Sequence, residues 1–140
     1  MNAIRHWLLA ATLLLGAAST AVAQDAPTQV PGAVTVDAQQ VVDLIGKAPN
    51  LVILDNRHPA DFGAGHIEGA VRLLDTDASP DALAKVVAAK DTPVLFYCNG
   101  LKCGRAAKAA ITAVQSGYQQ VYYYALGMED WKKQGLPLVR

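Results

Sequence analysis

Cys98 stands directly after the apolar run Pro93–Tyr97 and opens the segment Cys98-Asn99-Gly100-Leu101-Lys102-Cys103-Gly104-Arg105. The thiolate, not the thiol, is the nucleophile, so its chemistry depends on what lowers the thiol pKa. Three features of this segment point that way. A turn after a strand can aim successive backbone N–H groups at one anion. The next helix presents the positive end of its dipole. Lys102 and Arg105 add full charges. Cys98 is therefore expected below its free value of about 8.5, as a thiolate able to attack and to carry an anionic group. A second polar cluster, Asp55-Asn56-Arg57, comes after the apolar run Leu51–Leu54. Its carboxylate can accept backbone N–H bonds and its guanidinium can grip a carboxylate bidentately.

These clusters need elements to position them. The runs Leu51–Leu54 and Pro93–Tyr97 read as strands covered on both faces. Gly32–Val36, Ala70–Leu73 and Val121–Tyr124 read as further strands. Asp37 is a good N-cap for a helix over Ala38–Ile45, with Val41, Val42 and Ile45 as its apolar residues. Pro59–Phe62 reads as a short helical turn. Ser79-Pro80 opens a helix with Leu83, Val86 and Val87 inward. Gly104–Ser116 is expected to bury Ala107, Ala110, Ile111 and Val114 on one face shared with Tyr118. Met128–Gln134 forms a last short helix, closed by Gly135 and Pro137. Strands alternating with helices predict an α/β domain with a largely parallel sheet, and such sheets place sites beyond the carboxyl ends of strands.

The 140 residues carry 12 Lys+Arg and 12 Asp+Glu, and 52% are hydrophobic. That supports one globular domain and argues against a nucleic-acid binder. Two cysteines exclude a disulfide-dense scaffold, and with no His nearby they fall short of a zinc set. No metal or cofactor is expected. Met1–Ala23 contains no Asp or Glu. It has a basic start at Arg5-His6, an apolar run over Trp7–Ala18 and the ending Ala21-Val22-Ala23. This is the pattern of a signal peptide cleaved after Ala23, and the apolar run is shorter than the ~20 residues of a membrane span. An uncleaved anchor is the alternative. Residues 24–31 (QDAPTQVP) read as a flexible leader and residues 32–140 as the domain. The expected destination is the periplasm or the cell exterior.

Four segments, in order, resemble the rhodanese-like sulfurtransferases. Asp55-Asn56-Arg57 is similar to that family's D-x-R strand end. Asp61-Phe62 with Gly65-His66-Ile67-Glu68-Gly69-Ala70 is similar to its E-F-x-x-G-H-I-x-G-A segment. Tyr97-Cys98-Asn99-Gly100 resembles the start of its active-site loop. Gly127–Trp131 with Gly135-Leu136-Pro137 resembles its terminal G-x-x-x-W-x-x-x-G-x-P. The resemblance implies a three-layer fold, a parallel sheet of about five strands between helices. It also implies transfer of sulfane sulfur through a persulfide on Cys98. A donor such as thiosulfate loads the sulfur and a thiophilic acceptor, cyanide or a thiol, removes it. Asn99, Gly100, Leu101, Lys102, Cys103 and Arg105 become the donor-binding residues. Lys102 is either a ligand of the donor's sulfonate or a solvated lysine, and Arg105 either aids the donor or pairs with an acid. Asp55 and Arg57 are expected to support the loop, since attack by a thiolate needs no general base. His66 is expected to be a hydrogen-bonded packing residue and Trp131 part of the core. Partners are then small sulfur compounds, with neither nucleic acid nor membrane engaged and a monomer sufficient. Leu126 stands where relatives often carry a second Gly before Gly127.

Cys103 stands where many relatives carry Ser or Thr. A Cys98–Cys103 disulfide would close a six-residue loop. It would contribute only about 2 kcal/mol and consume the nucleophile, which suits a resting or regulatory state better than a staple. The open roles for Cys103 are attack on the Cys98 persulfide, protection of Cys98, or simple replacement of Ser. Competing readings are a phosphatase, a disulfide oxidoreductase and a non-catalytic binding module of this fold. The phosphatase signature H-C-x5-R is broken, because Tyr97 replaces the His and Arg105 lies seven residues after Cys98. The C-x-x-C redox spacing is absent.

Overall fold

The computed structural model describes residues 25–140. The expected signal peptide, Met1–Ala23, lies outside the described residues. The elements run β1 (Val34–Thr35), α1 (Ala38–Lys47), β2 (Val52–Asp55), α2 (Pro59–Ala64), β3 (Val71–Arg72), α3 (Pro80–Val86), β4 (Val94–Tyr97), α4 (Arg105–Gln115), β5 (Val121–Tyr124) and α5 (Gly127–Lys133), with a 3-10 turn at Asp75–Asp77. The five strands form one parallel sheet in the order β1-β5-β4-β2-β3. This is the three-layer α/β architecture expected.

The layers arise from a period of two in the central strands. Val94 and Phe96 of β4 pack toward α3 and α4, with Leu54, Leu83, Ala106, Ala109, Ala110 and Ala113. Leu95 and Tyr97 pack to the other face, with Ile53, Val41, Tyr124, Met128 and Trp131. All four residues of β4 are buried. Full burial of an aliphatic or Phe side chain is worth about 1.5–3 kcal/mol, so this strand anchors both half-cores.

Local signals set the helix starts. Asp37 accepts the Gln40 N–H at 2.8 Å while Gln40 Oε1 accepts the Asp37 N–H at 2.9 Å, a reciprocal cap. Ser79 accepts the Ala82 N–H at 3.1 Å ahead of Pro80. Two expected helix faces differ. In α4 the buried residues are Ala106, Ala107, Ala109, Ala110 and Ala113, while Ile111 is exposed. A stripe of small side chains lets this helix sit close on the sheet, and a larger residue is turned outward. In α1 the inward residues are Ala38, Val41 and Leu44, while Val42 and Ile45 are exposed.

The leader also departs from expectation. Its polar, Pro-containing composition predicts flexibility, yet Ala26 and Val30 are buried. The Ala26 N–H donates to the Leu101 carbonyl at 2.6 Å, and the Tyr123 hydroxyl donates to the Pro27 carbonyl at 2.8 Å. These buried side chains and hydrogen bonds hold the segment along the domain, against the ordering entropy that would otherwise leave it loose.

Candidate active site

The strand order creates the site. β2 connects outward to β3 and β4 connects the other way to β5, so the chain diverges between the carboxyl ends of β2 and β4. Ligands in open parallel sheets bind at such a divergence. Asp55 pairs in register with Tyr97, and Tyr97 with Tyr124. The Asp55–Arg57 segment and the Cys98–Arg105 loop therefore leave the sheet side by side.

Cys98 is the first residue beyond β4, and its side chain joins the half-core under α4. Cys98 and Cys103 are joined in a disulfide, with Cα atoms 6.1 Å apart, within the range that disulfides span. Sequence alone leaves this pairing open. The Cys103 N–H donates to the Gly100 carbonyl at 2.9 Å and tightens the loop into a turn. Among the described residues, the N–H groups of Asn99, Gly100, Leu101 and Lys102 donate to no backbone acceptor, so they remain available to an anion. The eleven-residue helix α4 begins at Arg105, and its dipole adds positive potential at the same end.

The loop is held from the α5 side by the backbone. Met128 N–H donates to the Cys98 carbonyl at 2.9 Å and Glu129 N–H to the Asn99 carbonyl at 2.8 Å. This requires Gly127, whose φ is +57°. A Cβ there would overlap the Cys98 carbonyl oxygen and lie 3.0 Å from the Asn99 carbonyl carbon. Gly100 is less confined, since a Cβ there would fall 2.7 Å from Glu129 Oε2, the end of a side chain that can swing aside. In the sequence Gly127 stands out only as part of a motif, because backbone-to-backbone bonds leave no side-chain pattern.

The expected binding residues separate into two groups. Arg105 is half-buried and donates Nε to the Asn56 carbonyl at 3.1 Å, the same oxygen that lies 3.9 Å from Cys98 Sγ. Asn99 is half-buried, with Nδ2 3.4 Å from Asp61 Oδ2. Lys102 instead points into solvent and pairs with Asp25 at 2.7 Å, and that partner raises its pKa. Leu101 is partly exposed and borders a largely apolar groove of about 300 Å³ with Thr28, Val36, Ala125 and Leu126. Asn56, which reads in the sequence as a mere spacer, is fully buried. Its Nδ2 donates to the Leu73 carbonyl at 2.6 Å and its N–H to the Tyr97 carbonyl at 2.9 Å, tying β2 to both neighbouring segments. Its one advance signal is its place directly after a strand.

Asp55 and Arg57 form a buried pair beneath the loop. Arg57 Nη2 donates to Asp55 Oδ2 at 2.7 Å and to the Gly65 carbonyl at 2.7 Å, while Arg57 Nε donates to Asp55 Oδ1 at 2.9 Å. The Tyr97 hydroxyl donates to the same carboxylate and accepts the Ile67 N–H at 3.2 Å. Burial alone would lower the Arg57 pKa, but the Asp55 bonds and charge outweigh it and the net shift is upward. Burial, then the Asp55 charge, pushes the Tyr97 phenol up. Arg57 thus keeps its charge beside a neutral phenol, and its bonds with Asp55 join β2, β4 and the Gly65–Ile67 segment. His66 stacks on Phe62 with ring centroids 3.7 Å apart, its Nδ1 3.0 Å from the Phe62 carbonyl. Trp131 is buried and donates Nε1 to the Pro137 carbonyl at 2.9 Å. Among the described residues no cluster of His, Cys, Asp and Glu is suited to a metal ion.

Together these features define a class: a parallel α/β domain with a cysteine-bearing loop between a central strand and the N-terminus of a helix. Within that class, residues 37–134 match the Rhodanese-like domain family, and the chain belongs to it. It is 36% identical over 81 residues to the thiosulfate sulfurtransferase GlpE of Stutzerimonas stutzeri, covering 58% of this chain and 70% of that protein. It is 33% identical over 90 residues to the uncharacterized protein YibN of Escherichia coli K12, covering 64% of this chain and 61% of YibN. The chain thus spans less than two thirds of the length of YibN. The polysulfide-sulfur transferase homodimer of Wolinella succinogenes shares the fold, with a TM-score of 0.62 at 23% identity, covering 77% of this chain and 79% of that one.

Proposed function

We propose that this chain is a sulfurtransferase that carries sulfane sulfur as a persulfide on Cys98, from an anionic donor such as thiosulfate to cyanide or a thiol. The observation that carries this reading is the placement of Cys98 between the carboxyl end of β4 and the dipole of α4, with unengaged loop amides beside it. The reduced Cys98 thiolate attacks the sulfane sulfur of thiosulfate. The S–S bond of the donor breaks and its electron pair leaves with sulfite. The outer sulfur of the resulting persulfide is held as an anion by the loop amides and Arg105. An acceptor nucleophile then attacks that outer sulfur, and Cys98 departs as the thiolate. The disulfide is the resting state, and reduction precedes loading. Both the disulfide and the Met1–Ala23 pattern support a periplasmic or extracellular setting.

The test is thiocyanate formation from thiosulfate and cyanide by the reduced protein. Cys98→Ser is expected to lower the rate by at least about a thousandfold, as loss of a covalent nucleophile does. Turnover by Cys98→Ser near the wild-type rate would overturn the assignment. The disulfide itself favours a second reading, a thiol–disulfide oxidoreductase, and that reading requires reduction of insulin disulfides by the dithiol form at a rate that Cys98→Ser abolishes.

Arg105, not Lys102, is the principal cation for the donor in this reading, because Asp25 already engages Lys102. Asp25→Ala releases that lysine. An exposed charge pair is weak, so KM for thiosulfate is expected to fall by at most about fivefold with kcat little changed. A rise in KM would show that Asp25 assists the donor site.

A further inference from the structure

The two cysteine sulfurs meet while every backbone tie of the loop is in place. In the bonded state Cys98 still accepts the Met128 N–H, Asn99 still accepts the Glu129 N–H, and the Gly100–Cys103 turn is closed. Cys103 Sγ therefore meets Cys98 Sγ with these backbone ties formed. That contact governs the fate of a loaded sulfur. A persulfide has two electrophilic positions. Attack on the outer sulfur passes it to an acceptor, whereas attack on the inner sulfur expels it as sulfide.

We propose that Cys103 resolves the Cys98 persulfide from within, so that the protein also releases sulfane sulfur reductively as hydrogen sulfide; this rests on the sulfurtransferase reading above. The Cys103 thiolate attacks Cys98 Sγ and the Cys98–Cys103 bond forms. The bond between Cys98 Sγ and the outer sulfur breaks, and that sulfur leaves with the electron pair and the proton given up by the Cys103 thiol, as HS⁻. The sulfane sulfur is reduced by two electrons and the two cysteines are oxidised to the disulfide. An external dithiol, small or protein-borne, supplies the two electrons that return the loop to its reduced form.

Burial sets the direction of that last exchange. Cys103 is 8% exposed and Cys98 2%, so an incoming thiolate reaches Cys103 first. Attack there makes Cys98 the leaving group, and the better-stabilised thiolate leaves faster. The loop amides and the α4 dipole favour the charge on Cys98. The mixed disulfide thus forms on Cys103, and the nucleophile emerges ready to load.

A single-turnover experiment decides the matter. The protein is reduced, freed of reductant under anaerobic conditions and mixed with thiosulfate, with no cyanide or external thiol present. Sulfide and intact mass are then recorded over time. The wild type is expected to release one sulfide per chain and to finish two hydrogens lighter, with no sulfur retained. Cys103→Ser and Cys103→Ala are expected to keep one added sulfur and to release sulfide only when an external thiol is supplied. A wild type that retains its added sulfur and releases no sulfide overturns reductive release and leaves the transferase standing. Equal sulfide release by the Cys103 variants also overturns it. Failure of the wild type and of both variants to take up sulfur overturns the transferase reading, and reductive release with it.

Discussion

Replacing Arg57 by alanine is expected to remove about 3–5 kcal/mol of stability, because it strands the Asp55 carboxylate inside the protein. Arg57 is 2% exposed and Asp55 fully buried. The guanidinium supplies three bonds to that carboxylate and a fourth to the Gly65 carbonyl. After truncation only the Tyr97 hydroxyl and the backbone N–H of residue 57 remain on Asp55. Domains of this kind have about 5–15 kcal/mol in total, so a large share is at risk. Denaturant unfolding at neutral pH measures the effect. The mechanism makes a further demand. A double variant with both charges replaced by apolar residues of similar volume should lose less than Arg57→Ala alone, since no buried charge is then unpaired. Additive losses would mean that packing, not the unpaired carboxylate, sets the cost.

Gly127→Ala is the second large effect, and it falls on function as well as stability. The left-handed conformation costs a Cβ-bearing residue about 1–2 kcal/mol. The new Cβ would also overlap the Cys98 carbonyl, a backbone atom that cannot swing aside. Overpacking adds about 1–3 kcal/mol, for a combined loss on the order of 2–5 kcal/mol. The displacement is applied at Cys98 itself, so sulfur transfer at temperatures where the variant is folded should fall about tenfold or more, as misplacement of a reacting group does. Leu126→Ala, one residue earlier on an exposed side chain, is expected to stay within about 0.5 kcal/mol of wild type in stability. Wild-type transfer rates in folded Gly127→Ala would show that the loop's seat on α5 does not position the sulfur.

The site is legible wherever side-chain type meets element periodicity. The continuous runs Leu51–Leu54 and Pro93–Tyr97 predict doubly covered strands, and the polar residues directly after them mark the chemical end of the sheet. Side-chain acceptors at Asp37 and Ser79 announce the two helix caps. The features that escape the sequence have a common physical cause. The alanines of α4 carry little hydrophobic contrast, so the pattern points to Ile111, while close approach to the sheet selects the smallest side chains. The Met128 and Glu129 bonds to the loop run from backbone to backbone and depend on no side chain. The segment 25–31 offers only Ala26 and Val30 among polar neighbours, and its docking is decided by the surface of the folded domain. Lys102 reads as a free cation because its partner, Asp25, lies 77 residues away in sequence.

The most direct measurement is the intact mass of the reduced protein before and after thiosulfate, taken on Cys103→Ser so that the loaded sulfur cannot leave through a second thiol. The expected result is a gain of one sulfur atom that cyanide removes and that is absent when Cys98 is also serine. An unchanged mass in folded Cys103→Ser, or a sulfur that persists without Cys98, would contradict it.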